Sequence, residues 1–328
     1  DSKDSLMSLL KTFKRWFRAI FIVCAIAVIG TIIISLTMDN YYEASTTFYA
    51  ASSDLAKPAP IGGLEIDLDY YGRDEDVDRL LSIANSGEVA TRIIEEYQLA
   101  EHYKIKNETQ KGKYKVLEKF YKLYTAQKNK FDAIEISMED TDPEQAKMIA
   151  NRARDLVNEI AQRTVKSSQQ LQIDKYKQNI DLKTVDLDSL TSRIERVKER
   201  YQIFDSANQG EALTQALAEA NTRDQISTIE GKINEFAKGV SKVVVLEQEQ
   251  REFGKQLSLD KERYKQLLSA KASDYNAVHL IEAADTPMIK SRPKRSILVI
   301  AAGLIAFFFS LLAAVIVEKV RTIDWKTL

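Results

Sequence analysis

Residues 19–38 read AIFIVCAIAVIGTIIISLTM and residues 297–317 read ILVIAAGLIAFFFSLLAAVIV, and neither stretch carries a charge. At about 1.5 Å of rise per helical residue, each matches the roughly 30 Å of a bilayer's hydrocarbon. Two spans therefore frame the chain. A cleaved signal peptide is the poorer reading of the first run. Its apolar core exceeds the usual length of about 7–15 residues, and Ser35-Leu36-Thr37-Met38 lacks an A-x-A site. A buried globular helix is the poorer reading of the second, because such helices seldom avoid polar residues for so long.

Lys3, Lys11, Lys14, Arg15 and Arg18 precede the first span, and no Lys or Arg follows it until Lys57, which predicts a cytoplasmic N-terminus. Around the second span, Lys290, Arg292, Lys294 and Arg295 nearly balance Lys319, Arg321 and Lys326, so the first span decides the orientation. The expected layout is a cytoplasmic segment 1–18, a span 19–38, an extracytoplasmic domain 39–296, a span 297–317 and a cytoplasmic tail 318–328. That tail is too short to hold a domain, which counts against a two-span sensor that continues into a signalling module.

The 328 residues include 47 Lys+Arg and 48 Asp+Glu, so no global charge points to nucleic acid. With 11 Gly and 5 Pro, few turns are encoded and long helices are favoured. One cysteine, Cys24, and two histidines, His102 and His279, exclude a disulfide framework and a zinc-finger or His-rich metal cage. No phosphate loop, G-x-S-x-G or H-E-x-x-H occurs, so the expectation is a protein without catalysis, cofactor or metal. The acidic cluster Asp67, Asp69, Asp74, Glu75, Asp76 and Asp78 lacks the calcium-loop spacing and reads as solvated charge beside a helix start. Both histidines read as structural or surface residues.

Between the spans, Tyr41–Ala50 is aromatic and β-branched and predicts a strand, and Lys57–Gly63 reads as a loop. Helices are expected across 74–99, with Ser86 as an N-cap, and across 113–128. Phe131–Met138 alternates as a strand. Asp142-Pro143 is a helix start, since proline at the first helical position gives up an N–H that has no partner there anyway. From Pro143 to about Phe204 no Gly and no further Pro occurs, and Leu187, Leu190, Ile194, Val197, Tyr201 and Phe204 alternate spacings of three and four. That is a heptad-type seam on a rod of roughly 90 Å. Asp205–Gly210 reads as a break and Glu211–Ile229 as a helix. Val243–Leu268 carries Leu246, Phe253, Leu257, Tyr264 and Leu267 on one stripe, which makes it the returning arm of a helical hairpin. A strand follows at Ala277–Ala283. The fold class is an α+β membrane protein: two transmembrane helices flank a domain with a small membrane-proximal sheet and a long helical hairpin.

Lys290, Arg292, Lys294 and Arg295 stand where long cations meet lipid headgroups. Ala302, Ala306, Ser310 and Ala314 in the second span, and Ala27, Thr31 and Ser35 in the first, form faces that let helices approach closely. Packing within the chain and packing between copies both explain these faces.

This layout, with Thr141-Asp142-Pro143-Glu144-Gln145-Ala146-Lys147-Met148-Ile149-Ala150-Asn151 and Ala283-Ala284-Asp285-Thr286-Pro287 through Arg292-Pro293-Lys294, resembles the polysaccharide co-polymerases, the Wzz chain-length determinant family. The first segment is similar to the family's D-P-x-x-A-x-x-x-A-N helix start, which singles out Asp142, Pro143 and Asn151. The second is similar to its proline-bearing segment, which singles out Pro287 and Pro293. Lys290 stands where the family usually has a further proline, and Gly303 among alanines replaces a glycine repeat. The resemblance implies a homo-oligomer in the bacterial inner membrane whose helical arms project into the periplasm. It also implies a role in setting surface-glycan length together with a Wzy-type polymerase and its lipid-linked glycan. An export-type co-polymerase working with a separate tyrosine kinase, a two-span sensor and a periplasm-bridging adaptor are the other expectations the topology admits.

Overall fold

In the computed structural model the described residues are 2–58 and 69–322. The predicted loop beyond Pro58, Asp67 and the tail after Thr322 lie outside them. The chain divides into two compact units, one of residues 1–50, 73–158 and 278–328, the other of residues 51–72 and 159–277.

In the first unit, α1 (Ser2–Thr37) and α9 (Arg295–Thr322) each contain a 26-residue stretch long and apolar enough to cross a membrane, Thr12–Thr37 and Arg295–Val320. The mean hydropathies of their most apolar windows are 2.9 and 2.8, yet only 11% and 6% of those windows are buried in the protein. Helices so apolar and so little covered are unfavourable in water and suited to hydrocarbon.

β1 (Tyr41–Ala50) buries alternate side chains, Ala44, Thr46, Phe48 and Ala50. It lies inside an antiparallel sheet of order β2-β3-β1-β4, built with β2 (Tyr124–Lys128), β3 (Ile134–Asp140) and β4 (Val278–Glu282). A short β5 (Lys290–Arg292) also pairs with β1, Tyr41 opposite Arg292 and Tyr42 opposite Lys290. Helices α2 (Asp74–Ala84), α3 (Gly87–Glu96), α4 (Leu99–His102) and α5 (Gln110–Leu123) complete this unit. Ser86 caps α3 as expected, its Oγ accepting from the Val89 N–H at 3.4 Å.

Two strands depart from the sequence reading. The helix expected across 113–128 stops at Leu123. Its apolar face, Val116, Phe120 and Leu123, is complete there, and the next five residues gain a ladder on β3 from Tyr124↔Met138 to Lys128↔Ile134. β5 carries Lys, Ser and Arg, residue types with no strand signal, and forms because its neighbours place it beside β1.

α6 (Pro143–Arg200) is a single helix of 58 residues, about 87 Å long. Its later part belongs to the second unit, together with α7 (Ser206–Glu219) and α8 (Arg223–Ala272). The expected break at 205–210 is a cap. Asp205 Oδ1 accepts from the N–H groups of Ala207 and Asn208 at 3.1 and 3.2 Å, so α7 starts at Ser206 and contains Gly210. The actual interruption is Ala220–Thr222, after which the two helices expected at 211–229 and 243–268 give way to one 50-residue α8.

α6 and α8 pack through Leu190, Ile194, Ile203, Val243 and Leu246, with Val197, Tyr201, Phe236 and Val240 against them. The heptad seam is therefore real up to Tyr201. Phe204 leaves it and is 87% exposed, because Gln202 adopts a left-handed backbone (φ 52°) that turns Ile203 inward in its place. Polar bridges fix the register: Lys183–Asp260 at 2.8 Å, Gln250 to Thr191 at 2.7 Å and Lys198–Glu247 at 2.9 Å.

Gly239 is where α8 comes closest to the α6 turn, since an added Cβ would lie 2.5 Å from Tyr201 Cβ and 2.8 Å from Ile203 Cδ1. Gly231, on the same helix, has open space at that position. Gly239→Ala should therefore destabilise the hairpin by about 1–3 kcal/mol, while Gly231→Ala should stabilise it by about 0.5–1 kcal/mol. Thermal unfolding of the two purified variants checks the opposite signs; equal shifts would mean that this close approach is not a packing constraint.

Candidate functional site: the clasp on the first turns of the long helix

The corner before α6 is set by carboxylates. Asp140, 1% exposed at the end of β3, accepts from the Asp142 N–H at 3.0 Å and from the Thr141 hydroxyl at 3.3 Å. Its Oδ1 also lies 2.7 Å from His102 Nε2. Asp142 then caps the helix: its Oδ1 accepts from the Glu144 N–H at 3.0 Å, and its carbonyl takes the first helical bond, from the Ala146 N–H at 3.0 Å. Pro143 sits at the first helical position, as the sequence predicts.

With its start fixed, α6 turns Glu144, Lys147, Asn151 and Arg154 onto one side, at spacings of three and four. This side grips the chain between β4 and β5. The Asn151 carboxamide donates to the Ala284 carbonyl at 2.9 Å and accepts from the Ala284 N–H at 3.0 Å, so one side chain satisfies both backbone groups of a residue that is 4% exposed. The Thr286 hydroxyl donates to Glu144 Oε2 at 2.6 Å, and Lys147 bridges Glu144 Oε1 and Thr286 Oγ1 at 3.1 and 3.3 Å. Arg154 donates to Asn151 Oδ1 at 3.0 Å and to Thr46 Oγ1 at 3.4 Å, and Thr46 donates to the Glu282 carbonyl at 2.8 Å. Ala146, Ile149, Ala150 and Ala153 are wholly buried on the same turns.

The cations before α9 divide. Arg292 meets Glu139 Oε2 at 2.6 Å and lies 4.5 Å from the centre of the Tyr41 ring. Ser291 donates to Glu139 Oε1 at 2.7 Å, Lys119 donates to the Tyr41 hydroxyl at 3.0 Å, and Arg295 donates to Asn40 at 3.2 Å. Arg292 and Arg295 are thus engaged within the fold, while Lys294 is exposed and Lys290 half-buried. Pro293, joined to Arg292 by a cis peptide bond, is buried, and Pro287 is half-buried.

The two small-residue faces are also covered inside the chain. Ser35 and Ala314 are 2% and 4% exposed, and Ala27, Thr31, Ala302, Ala306 and Ser310 are half-buried. Thr31 and Ser310 return their hydroxyls to their own helices, to the carbonyls of Ala27 and Phe307 at 2.8 and 2.9 Å. Packing between α1 and α9 within one chain is the arrangement observed, with Arg15 and Glu318 3.3 Å apart near one end.

Sequence reasoning singled out Asp142, Pro143 and Asn151 but missed Arg154, Thr286 and the His102–Asp140 pair. Arg154 was legible in principle, three residues beyond Asn151 on the same helical side. His102 carried no pattern that tied it to a residue 38 positions away. Among the described residues no group of three or more His, Cys, Asp or Glu side chains is placed to hold a metal ion.

The Thr286 hydroxyl first, and the Lys147 ammonium second, hold the Glu144 carboxyl below its ordinary value of 4.5. A carboxyl whose pKa is depressed by folding stabilises the fold above its unfolded value and loses that contribution as pH falls through the folded one. The protein should therefore lose melting temperature on acidification below about pH 4.5, and Glu144→Gln should flatten that limb by lowering the neutral-pH side toward the acid one. Asn151→Ala, which strands both backbone groups of Ala284, should cost about 1–3 kcal/mol at neutral pH. Melting curves from pH 3 to 7 read both effects; an acid limb that is unchanged in Glu144→Gln would remove the clasp as its cause.

No family model and no curated protein matches the sequence. Among solved structures the chain is similar to a full-length bacterial polysaccharide co-polymerase, with a TM-score of 0.47 and 14% identity over 96% of this chain and 98% of that one. It is similar to the Shigella flexneri lipopolysaccharide O-antigen chain-length regulator WzzBSF, with a TM-score of 0.34 and 12% identity over 76% of this chain and all of that one. It is similar as well to a fragment of WzzB, a polysaccharide co-polymerase from Salmonella Typhimurium, with a TM-score of 0.29 and 9% identity over 77% of this chain and all of that one.

Proposed function

We propose that the chain regulates the length of a surface polysaccharide, O-antigen or a related glycan, as a non-enzymatic polysaccharide co-polymerase. It acts as a homo-oligomer in the inner membrane beside a Wzy-type polymerase and its lipid-linked glycan. Both termini are cytoplasmic and residues 39–296 are periplasmic, an orientation supported by the five cations ahead of the first span.

The observation that carries this reading is the clasp. The resemblance rests on two segments more than a hundred residues apart, 141–151 and 283–287. Asn151 bonds both backbone groups of Ala284, and Glu144 accepts from Thr286. Residues matched separately in the sequence thus hold one another. Beside them, the chain leaving the first span pairs with the chain entering the second, β1 with β5.

The direct test compares the surface-polysaccharide ladder on a gel from cells with and without the gene. The expected result is the collapse of a defined modal length into a short, unregulated spread. Loss of all surface glycan would favour the export-type version working with a separate kinase, and an unchanged ladder would move the sensor and adaptor readings ahead. Leu at Ala306 and Ser310 together should broaden the modal distribution at normal expression, by prying α1 from α9.

A further inference from the structure

Around Tyr201 the hairpin carries more positive charge than it neutralises. An open groove of about 890 Å³ runs there, and of its ten lining residues four are cations, Arg193, Arg196, Arg200 and Lys242, against one acid, Glu199. The chain as a whole has 47 Lys+Arg against 48 Asp+Glu, so this excess is local and does not follow from composition. Arg193, Arg196 and Arg200 recur at spacings of three and four, which puts them on one side of α6 over about 10 Å. Lys242 borders the groove from α8: its ammonium donates to the Tyr201 hydroxyl at 2.8 Å and lies 5.0 Å from the centre of that ring.

Other cations of the hairpin have acids within reach. Lys183 meets Asp260, Lys198 meets Glu247 and Lys255 meets Glu252. The three guanidiniums of the groove are exposed and make no salt bridge or hydrogen bond among the described residues. Like charges at these helical spacings repel and destabilise the helix that carries them. Tyr201 registers the resulting field: the hydrogen bond from Lys242 first, and then the charges of Lys242 and Arg200, hold its hydroxyl below the ordinary value of 10.0 against the opposing Glu235.

A guanidinium presents a planar fork of N–H donors that grips a carboxylate or phosphate by two bonds at once. Beside the forks the groove is apolar, lined by Val197, Leu246 and Val245, the last of them 64% exposed. A lone small anion would leave that lining unused. A chain of sugar rings that carries acid groups in series meets both demands, its charges on the arginines and its C–H faces on the apolar side chains.

We propose that this groove binds an acidic polysaccharide, with acid groups on Arg193, Arg196 and Arg200 and sugar faces against Val245. The inference rests on the reading above that the chain acts on a surface glycan, and it gives that glycan a chemical class.

The test titrates the full chain, purified in detergent, with two acidic probes and a neutral one. Oligogalacturonate carries a carboxylate on every sugar, phosphomannan carries phosphate, and dextran oligomers carry no charge. Calorimetry should show binding of at least one acidic probe and none of dextran, with an affinity that falls as salt is raised. Arg193→Gln, Arg196→Gln and Arg200→Gln together should weaken that binding at least tenfold without lowering the melting temperature. Lys175→Gln with Lys177→Gln, which removes exposed cations from the same helix outside the groove, should change it less than twofold.

An equal loss in the lysine variant would reduce the effect to general charge attraction and overturn the proposal. Inorganic phosphate that competes as well as the acidic probe would leave only a small-anion site, with the same consequence. If neither acidic probe binds while deletion of the gene still collapses the glycan ladder, this inference alone falls. If deletion leaves the ladder unchanged, the functional reading falls whatever the probes do.

Discussion

A single helix of 58 residues has one rotational setting, and here it is fixed within its first turn. The Asp140 and Asp142 carboxylates hold successive N–H groups at the corner, and Pro143 admits only one backbone angle at the helix start. From that setting the clasp acquires its direction: Glu144, Lys147, Asn151 and Arg154 turn to the segment before the last helix. A one-residue slip at the corner would rotate that set by about 100° and break it. Asp140 is held there through Oδ1 by a histidine as well as by backbone, while its buried Oδ2 has no hydrogen-bond partner among the described residues.

The clasp uses a second economy. A connecting segment between two edge strands ordinarily leaves its backbone to water, but Ala284 is buried, so its N–H and C=O both need partners. A carboxamide is the one side chain that offers a donor and an acceptor side by side, which makes asparagine or glutamine necessary and selects the shorter of the two on a helix this near. Arg154 completes the arrangement by donating to the same Asn151 oxygen that accepts from Ala284, linking the helix to β1 through Thr46.

Much of this was legible in the sequence because it follows from period and composition. The spans, the β1 and β3 alternation, the Asp142-Pro143 start and the seam from Leu190 to Tyr201 are local patterns that tertiary contacts reinforce. The misses have the opposite character. β2 and β5 exist only because a neighbouring strand offers hydrogen bonds, and Phe204 keeps the heptad spacing after the helix has ended at Arg200. The gap between α7 and α8 fell where no Gly or Pro stood, while Gly210, read as a break, is absorbed by a helix whose cap lies five residues earlier. Of the site, the motif residues were visible, but their partners Thr286 and Arg154 and the His102–Asp140 contact required knowing which distant segments meet.

The sheet brings the two spans together. β1 begins four residues after α1 ends, β5 ends three residues before α9 begins, and the two strands are hydrogen-bonded at Tyr41 and Arg292. Paired strands lie about 4.8 Å apart, whereas packed helices ordinarily stand about 8–10 Å apart. Helices that must continue from such a pair are drawn toward the close end of that range, with Asn40 and Arg295 bonded across the junction. Bulky residues on the facing sides would force them to splay at the point where the ladder holds them together. Alanine, glycine and serine on α9 against Ala27, Thr31 and Ser35 on α1 remove that conflict. At Gly303 an added Cβ would stand 3.4 Å from Val28 Cγ2, in ordinary contact across the two helices. The small-residue faces thus lie where strand pairing outside the spans brings the two helices together within one chain.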